Sequence, residues 1–261
     1  MIGRAYDGRR PRTIRDISGE TMIEIGLLAL LTLGGGAVGT ATGFGTSTIM
    51  IPVMTMFLPL PVALLFVGII HLCGDIWKIV LFRRGVQWKL VLGFGLSGIA
   101  AGYGGARLSA VAMDLPLRQI LGAFLLLYVA FLLLKRQWAL PKTTATAVAG
   151  GGLSGLFAGF FGVGGAVRGA FLAAFDLPKD VYVFTSGVIA LFVDVTRIST
   201  YMWDGARLSR DLWIALAVCV PVSLIAAVLA RKFLTRLPQK QFRAFVCVFL
   251  ALVALKLIVW P

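Results

Sequence analysis

Long apolar runs separated by short polar and basic stretches dominate the chain. No Asp, Glu, Lys or Arg occurs between residues 25 and 74. Further uncharged runs cover 90–106, 119–134, 143–167 and 212–230, with shorter ones at 181–193 and 244–255. Because a bilayer core requires about 20 apolar residues per helix, this pattern predicts a polytopic chain of about eight membrane-spanning segments. No stretch has the polarity of an appended soluble domain.

A glycine-rich element interrupts two of these apolar runs. The first is Gly43-Phe44-Gly45-Thr46-Ser47-Thr48, followed by Pro52, and the second is Gly162-Val163-Gly164-Gly165-Ala166-Val167-Arg168. As one straight helix, residues 22–58 would extend about 55 Å, so this segment must bend, fold back or cross twice. Irregular backbone survives at membrane depth only where protein or a water-filled cavity satisfies its polar groups. Two breaks therefore predict such a cavity.

One offset relates the two elements. A shift of 119 residues places Gly43 on Gly162 and Gly45 on Gly164. The same shift places Asp75, Lys78 and Gly68 on Asp194, Arg197 and Gly187. We predict an all-α integral membrane protein with two homologous four-helix halves, each with a broken glycine-rich helix. The boundaries are a basic N-terminal segment 1–21, a first transmembrane repeat 22–140 and a second transmembrane repeat 141–261.

The net charge of +14 resides in short basic caps between apolar runs. Caps of this kind mark cytoplasmic loops, and they do not form the continuous basic face that a nucleic-acid partner requires. Eight passes with the N-terminus inside put most caps inside, but they put the cluster at 231–243 outside. If a broken segment is a hairpin that returns to its starting side, every later loop changes sides. The three cysteines show no pairing pattern and are interpreted as packing residues.

The breaks have the chemistry of an anion site. Glycine lets the backbone approach a ligand closely, and each restarting helix directs unpaired N–H groups and a positive dipole end into the cavity. The candidate substrate-binding residues are Gly43, Gly45, Thr46, Ser47, Thr48, Gly162, Gly164, Gly165 and Arg168. An Arg inside an apolar segment must be paired or face water. For Arg168 the alternative to ligand contact is a structural ion pair with Asp194 or Asp75.

Three further residues are candidates for ion coupling: His71, Asp75 and Asp194. His71 and Asp75 are four residues apart and share a helix face, and a histidine beside a carboxylate can carry protons at physiological pH. The alternative is that Asp75 pairs with Lys78, and Asp194 with Arg197, as locks near helix ends whose basic partners snorkel to the surface. His71 has no counterpart in the second half, where position 190 is alanine. No metal-ligand cluster or nucleophile motif is present, so we expect no metal, no cofactor and no enzymatic activity.

The chain resembles the TauE/SafE sulfite exporter family, also called the 4-toluene sulfonate uptake permease family. The resemblance rests on the duplicated element, Gly43-Phe44-Gly45 to Pro52 and Gly162 to Ala166, and covers nearly the whole chain after residue 20. It implies export or uptake of sulfite, sulfoacetate or other sulfonates across the bacterial inner membrane. Two features depart from the family pattern. Thr46 and Ser47 stand where glycines are common, and Arg168 and Phe171 replace an apolar residue and a proline.

Together these observations predict a multi-pass secondary transporter of the cell inner membrane, with export of small sulfur-containing or organic anions as the expected direction. The two breaks would meet near the bilayer midplane, and the two halves would rock to expose the site alternately. An anion channel or pore could use the same helix ends without a coupled conformational cycle. The expected partners are a small anion and the lipid bilayer, with a homodimer left open.

Overall fold

The computed structural model describes residues 19–42, 45–83, 85–112, 116–134, 140–232 and 239–259. The described residues form helices and short connections, and they contain no strand. The all-α membrane class predicted from the apolar runs is therefore confirmed. The predicted basic segment 1–21 lies outside the described residues up to residue 18, and Gly43 of the first break lies outside them as well.

The described residues form ten α-helices, which follow one another in sequence. They are α1 Gly19–Thr42, α2 Ser47–Met54, α3 Leu60–Leu81, α4 Trp88–Val111, α5 Leu117–Leu134, α6 Thr144–Phe161, α7 Gly164–Leu172, α8 Lys179–Trp203, α9 Arg210–Lys232 and α10 Gln239–Val259. A short 3-10 turn, Ala173–Phe175, extends α7. Within the described parts of the chain, five helices contain stretches long and apolar enough to cross a membrane: α1, α3, α6, α8 and α9. The protein is therefore a multi-pass membrane protein.

The first broken segment folds back on itself as a helical hairpin. A Cβ built on Gly39 would overlap the backbone of Gly45, and one turn earlier a Cβ built on Gly35 would lie 3.2 Å from Met50 Cγ. Residues further from the turn in α1 contact residues further from the turn in α2, so α2 runs antiparallel to α1. Of the three sequence-based alternatives, folding back is therefore the one observed. The simple alternation of eight passes is wrong at this point, because glycine at the turn permits reversal of the chain.

The second broken segment is also a hairpin. A Cβ on Gly164 would overlap the backbone of Ser154 in α6, and a Cβ on Gly150, further from the turn, would lie 2.6 Å from Phe171 Cβ. Helix α7 therefore runs back along α6. The first turn contains Gly45 with φ 84°, and the second contains Gly162 with φ 73°. Both are left-handed conformations that glycine adopts without steric cost.

Helices α3 and α8 cross in antiparallel directions at the centre of the protein. A Cβ on Gly68 would lie 3.2 Å from Ile198 Cγ1, and a Cβ on Gly187 would lie 3.4 Å from Ile79 Cγ1. These two contacts are reciprocal, because the shift of 119 residues relates Gly68 to Gly187 and Ile79 to Ile198. The small residues allow α3 and α8 to approach closely, as glycine does between membrane helices.

Helices α4 and α6 pack in parallel along a seam of glycines. A Cβ on Gly155 would overlap the backbone of Gly98, and a Cβ on Gly159, one turn later, would overlap the backbone of Gly102. The absence of a side chain at Gly155 and Gly159 allows α6 to approach α4 closely.

Three contacts join helix ends that are distant in sequence. Arg107 near the end of α4 forms an ion pair with Asp204 at the end of α8. Lys142 before α6 lies 2.7 Å from Asp176 before α8. The Arg231 guanidinium at the end of α9 lies 5.6 Å from the ring centroid of Phe82 at the end of α3. Each contact places two helix ends on the same side of the protein. The division into halves 22–140 and 141–261 stays a prediction.

Candidate functional site

The first hairpin turn lies directly against His71 of α3. The Gly45 N–H donates to the Gly39 carbonyl at 3.1 Å and closes the turn. A Cβ on Gly45 would overlap His71 Nε2. The turn therefore requires glycine twice, once for its positive φ and once for the space that the imidazole occupies.

The three hydroxyl residues after this turn are buried at the start of α2. Thr46, Ser47 and Thr48 are each at most 2% exposed. Thr46 Oγ1 lies 3.7 Å from the position of a Cβ on Gly74 and 3.8 Å from one on Gly36. Thr46 is thus held between α1 and α3. Amide groups in the first turn of a helix have no acceptor in their own helix, so this buried corner concentrates hydrogen-bond donors.

The second hairpin turn contacts the first hairpin and the guanidinium of Arg197. The Gly162 N–H donates to the Ala158 carbonyl at 2.9 Å. A Cβ on Gly162 would overlap Ile51 of α2 and would lie 3.4 Å from Arg197 Nη1. Gly164 and Gly165 follow at the buried start of α7. The two predicted breaks are therefore close enough in space for the second turn to touch α2.

A buried ion network connects the two turns across the crossing of α3 and α8. His71 Nδ1 lies 2.5 Å from Asp194 Oδ2 and 3.1 Å from Asp75 Oδ2. Lys78 Nζ lies 2.7 Å from Asp75 Oδ1, and Arg197 Nε lies 2.7 Å from Asp194 Oδ1. His71 thus joins two carboxylates from two helices, and each carboxylate retains its own cation.

The account of these residues as paired ions is partly correct, and their role in ion coupling stays a prediction. The ion pairs Asp75 with Lys78 and Asp194 with Arg197 are confirmed. The expectation that their basic partners snorkel to the surface is wrong, because Lys78 is 3% exposed and Arg197 is 1% exposed. Lys78 stands in the last turn of α3, yet the packing of α3 against α8 keeps both pairs in the interior. Four buried charges in two pairs avoid the cost of an isolated buried ion.

The network is asymmetric because of one residue. The shift of 119 residues relates His71 to Ala190 and Asp75 to Asp194. The counterpart of the contact between His71 and Asp194 would therefore join Ala190 and Asp75. Alanine cannot donate a hydrogen bond, and Asp75 Oδ2 has no hydrogen-bond partner among the described residues, whereas Asp194 Oδ2 is bonded to His71.

Three nitrogens at this site have no hydrogen-bond partner among the described residues. They are His71 Nε2, Arg197 Nη1 and Arg168 Nη2. His71 Nε2 faces the first turn and Arg197 Nη1 faces the second. Buried polar nitrogens without a protein partner call for an explanation such as a ligand or water.

The guanidinium of Arg168 in α7 forms a hydrogen bond with a serine hydroxyl. Its Nε donates to Ser186 Oγ at 3.0 Å, and its side chain is 3% exposed. The carboxylates of Asp75 and Asp194 have Lys78 and Arg197 as their cationic partners, so the predicted alternative of a structural ion pair with Arg168 is not observed in the described part of the chain. A buried guanidinium with an unused nitrogen is suited to an anion.

Two contributors were missed by the sequence reasoning. Ser186 orients Arg168, and the Tyr201 hydroxyl donates to the Ala158 and Gly159 carbonyls at 3.2 Å and 2.5 Å. Tyr201 thereby fixes the end of α6 just before the second turn. The available signal was its position four residues after Arg197, on the same face of α8.

The ligand atoms of His71, Asp75 and Asp194 all lie within 4.8 Å of one another, a spacing that could accommodate a metal ion. The surrounding charge argues against one. Lys78 and Arg197 already neutralise the two carboxylates, so a divalent cation would add two uncompensated positive charges to a buried site. The donor set suits proton exchange better than metal coordination.

A family model described as "Sulfite exporter TauE/SafE" matches residues 28–257. No curated protein matches the chain.

Proposed function

The chain belongs to the sulfite exporter TauE/SafE family of membrane transporters for sulfite and related anions, and from this we propose that it is a secondary transporter of small sulfur-containing or organic anions. In this proposal the anion binds between the two hairpin turns, in the interior of a cell inner membrane protein. Sulfite and sulfonates are the substrates that the family favours, with export as the expected direction.

One observation supports this site more than any other. A continuous series of buried contacts runs from Gly45 through His71, Asp194 and Arg197 to Gly162. The free nitrogens His71 Nε2 and Arg197 Nη1 stand at its two ends. An anion between the turns would give both nitrogens an acceptor, and charge-assisted bonds of this kind are stronger than neutral ones.

The remaining candidates surround this path with donors. Gly43, Gly45, Thr46, Ser47 and Thr48 would supply the side of the first turn. Gly162, Gly164, Gly165 and Arg168 would supply the side of the second turn. Arg168 brings a guanidinium whose planar geometry fits two oxygens of a sulfonate or carboxylate. We expect a site of this composition to recognise the oxyanion group of the substrate. It would discriminate less between substrates that differ elsewhere in the molecule.

The arrangement favours a carrier over a channel. The charged residues of the network are at most 3% exposed, so the described structure shows no open aqueous path at this level. A carrier opens such a site alternately by moving one helical unit against another, and the two hairpins are suited to move as units because each folds on itself. An anion channel or pore remains the alternative, and it requires a continuous path.

Ligand-dependent stability tests the proposal. Sulfite, sulfate, sulfoacetate, taurine and small carboxylates are added to purified protein, and its apparent melting temperature is measured. A ligand that binds the folded form must raise this temperature. We expect sulfite or a sulfonate to do so, and no stabilisation by any anion would contradict the proposal.

Counterflow separates the two transport classes. Proteoliposomes loaded with unlabelled sulfite should accumulate labelled sulfite transiently if the protein is a carrier. Flux that does not saturate and shows no counterflow would favour the channel. Measuring the assembly in the same preparation tests the homodimer.

A further inference from the structure

Arg168 carries a buried positive charge that the described part of the protein does not neutralise. Its side chain is 3% exposed, its Nε donates to Ser186 Oγ at 3.0 Å, and its Nη2 has no hydrogen-bond partner among the described residues. Within the same residues, no salt bridge joins it to a carboxylate. A serine hydroxyl orients the guanidinium without compensating its charge. A buried cation in this state requires a counter-ion.

This guanidinium is anchored at a different level of the protein from the two hairpin turns. Arg197 Nη1, beside the second turn, lies 3.6 Å from a Cβ built on Gly68 of α3. A Cβ built on Gly187, the residue after Ser186, would lie 3.5 Å from Lys78 Cβ, ten residues further along α3. Ten residues of helix span about 15 Å. The bond to Ser186 therefore anchors the guanidinium toward the end of α3, whereas the turns lie nearer its middle.

Two further contacts show which face of the protein this level approaches. The Gln87 N–H, at the start of α4, donates to the hydroxyl of Thr185, the neighbour of Ser186, at 3.4 Å. A Cβ on Gly85, in the connection between α3 and α4, would lie 3.7 Å from Val181 Cγ2 of α8. An anion that enters from the face on which α3 ends would therefore meet the guanidinium before it meets the turns.

The pair of Arg168 and Ser186 has no counterpart elsewhere in the duplicated pattern. The shift of 119 residues relates Arg168 to Ile49 and Ser186 to Val67, and these two apolar residues are at most 9% exposed. The ion pairs of α3 and α8, by contrast, are duplicated by this shift, and each of their cations has its own carboxylate. The added cation thus lies outside the shared ionic framework, which does not need it.

We propose that Arg168 and Ser186 form a second anion-binding site, between α7 and α8, that holds one small oxyanion while another is bound between the hairpin turns. The inference rests on the function proposed above and gives Arg168 a binding position of its own, further along α7 than the second turn. The guanidinium offers the oxyanion its unused Nη2 in a charge-assisted hydrogen bond. The anion supplies the counter-charge that the described protein does not.

The number of anions bound per chain tests this directly. Purified full-length protein is dialysed to equilibrium against rising concentrations of radiolabelled sulfite, and in a second series radiolabelled methanesulfonate, until binding saturates. We expect two anions per unaltered chain and one per chain of Arg168→Met. Lys179→Met is the matched control, because it removes an exposed cation from the start of α8. It should leave the count at two.

Two measurements keep the test independent of how well Arg168→Met folds. Replacing an uncompensated buried ion by an apolar side chain of similar length is not expected to destabilise, so the anion-free variant should melt at the same or a higher temperature. Ser186→Ala keeps the charge and removes the hydroxyl that orients it. The second sulfite should then bind several-fold more weakly, while the first keeps its affinity.

The outcomes separate the second site from the function beneath it. Saturation at one anion per unaltered chain overturns the second site, and so do a count of two retained in Arg168→Met or unchanged affinities in Ser186→Ala. These results leave the transporter proposal intact. If the unaltered chain binds neither sulfite nor methanesulfonate, the proposed function fails together with the second site.

Discussion

The contact between Gly45 and His71 can be tested by adding a single methyl group. In Gly45→Ala the backbone must keep a φ of 84°, and a left-handed conformation costs an L-residue about 1–2 kcal/mol. The new Cβ also overlaps His71 Nε2, so the ring must move. Moving it breaks its bond to Asp194, and a hydrogen bond to a charged group contributes about 1.5–3 kcal/mol. We expect the free energy of unfolding to fall by about 2.5–5 kcal/mol.

The assay is unfolding in mixed micelles, followed by the helical circular dichroism signal. Gly152→Ala is the matched control, because Gly152 is a helical glycine of α6 whose Cβ would meet open space. Replacing glycine by alanine inside a helix stabilises by about 0.5–1 kcal/mol. The control should therefore be unchanged or slightly more stable.

A double-mutant cycle isolates the contact itself. In a His71→Ala background the ring is absent, so Gly45→Ala should cost only the backbone term of about 1–2 kcal/mol. The difference between the two backgrounds is the coupling energy of Gly45 and His71. Additive effects would refute the reasoning, since they would mean that the imidazole does not lie against the first turn.

Three other variants test the site and the packing around it. Arg168→Met should weaken sulfite or sulfonate binding by about 1.5–3 kcal/mol, and Arg168→Lys should weaken it less. The affinity is measured from the melting temperature as ligand is added, and unchanged affinity in both variants would exclude Arg168 as a ligand. Asp194→Asn leaves the buried Arg197 without its carboxylate and should cost about 3–5 kcal/mol in mixed-micelle unfolding; a loss as small as that of an exposed ion pair would contradict the buried network. Gly155→Leu should prevent accumulation of folded protein in membranes by forcing α4 and α6 apart, whereas Gly152→Leu should be tolerated; equal yields would count against the close approach of these helices.

The sequence predicted the parts of the site that depend on local pattern. Uncharged run length predicts membrane helices, and glycines inside such a run predict a break. The pairs Asp75 with Lys78 and Asp194 with Arg197 follow from a spacing of three residues on a helix. These features need no knowledge of how distant helices meet.

The bridging role of His71 could not be predicted in this way. It depends on α3 and α8 crossing in antiparallel directions in one particular register, which places His71 opposite Asp194. Local spacing suggested only its partnership with Asp75. The sequence also could not show that the broken segments form hairpins, because glycine permits a kink and a reversal of the chain equally well. The contacts of Gly35 with Met50 and of Gly150 with Phe171, further from the turns, decide for reversal.

The reversal at each hairpin also sets the sidedness of the whole chain. If each hairpin returns to its starting side and every other helix crosses once, α3, α4 and α5 give three crossings and α8, α9 and α10 give three more. Three is an odd number, and the second set therefore begins on the face opposite to the first. The start of α1 and the end of α10 then share one face, as do the helix ends joined by Arg107 with Asp204.

With this topology the connections after α3, α5, α7 and α9 open on one face of the membrane. By sequence they and the adjoining helix ends contain Arg83, Arg84, Lys89, Lys135, Arg136, Lys142, Lys179, Arg231, Lys232, Arg236, Lys240 and Arg243. The connections after α4 and α8 on the opposite face contain Arg107, Arg118, Arg207 and Arg210. Basic residues in short loops mark the cytoplasm, and the basic residues on the first face now include the cluster at 231–243 that conflicted with eight simple passes. Five arginines before α1, Arg4, Arg9, Arg10, Arg12 and Arg15, are the exception, because α1 begins on the opposite face. If the loops between helices set the orientation, the start of α1 and the end of α10 face away from the cytoplasm, and we expect a reporter fused after α10 that is active only in the cytoplasm to be silent.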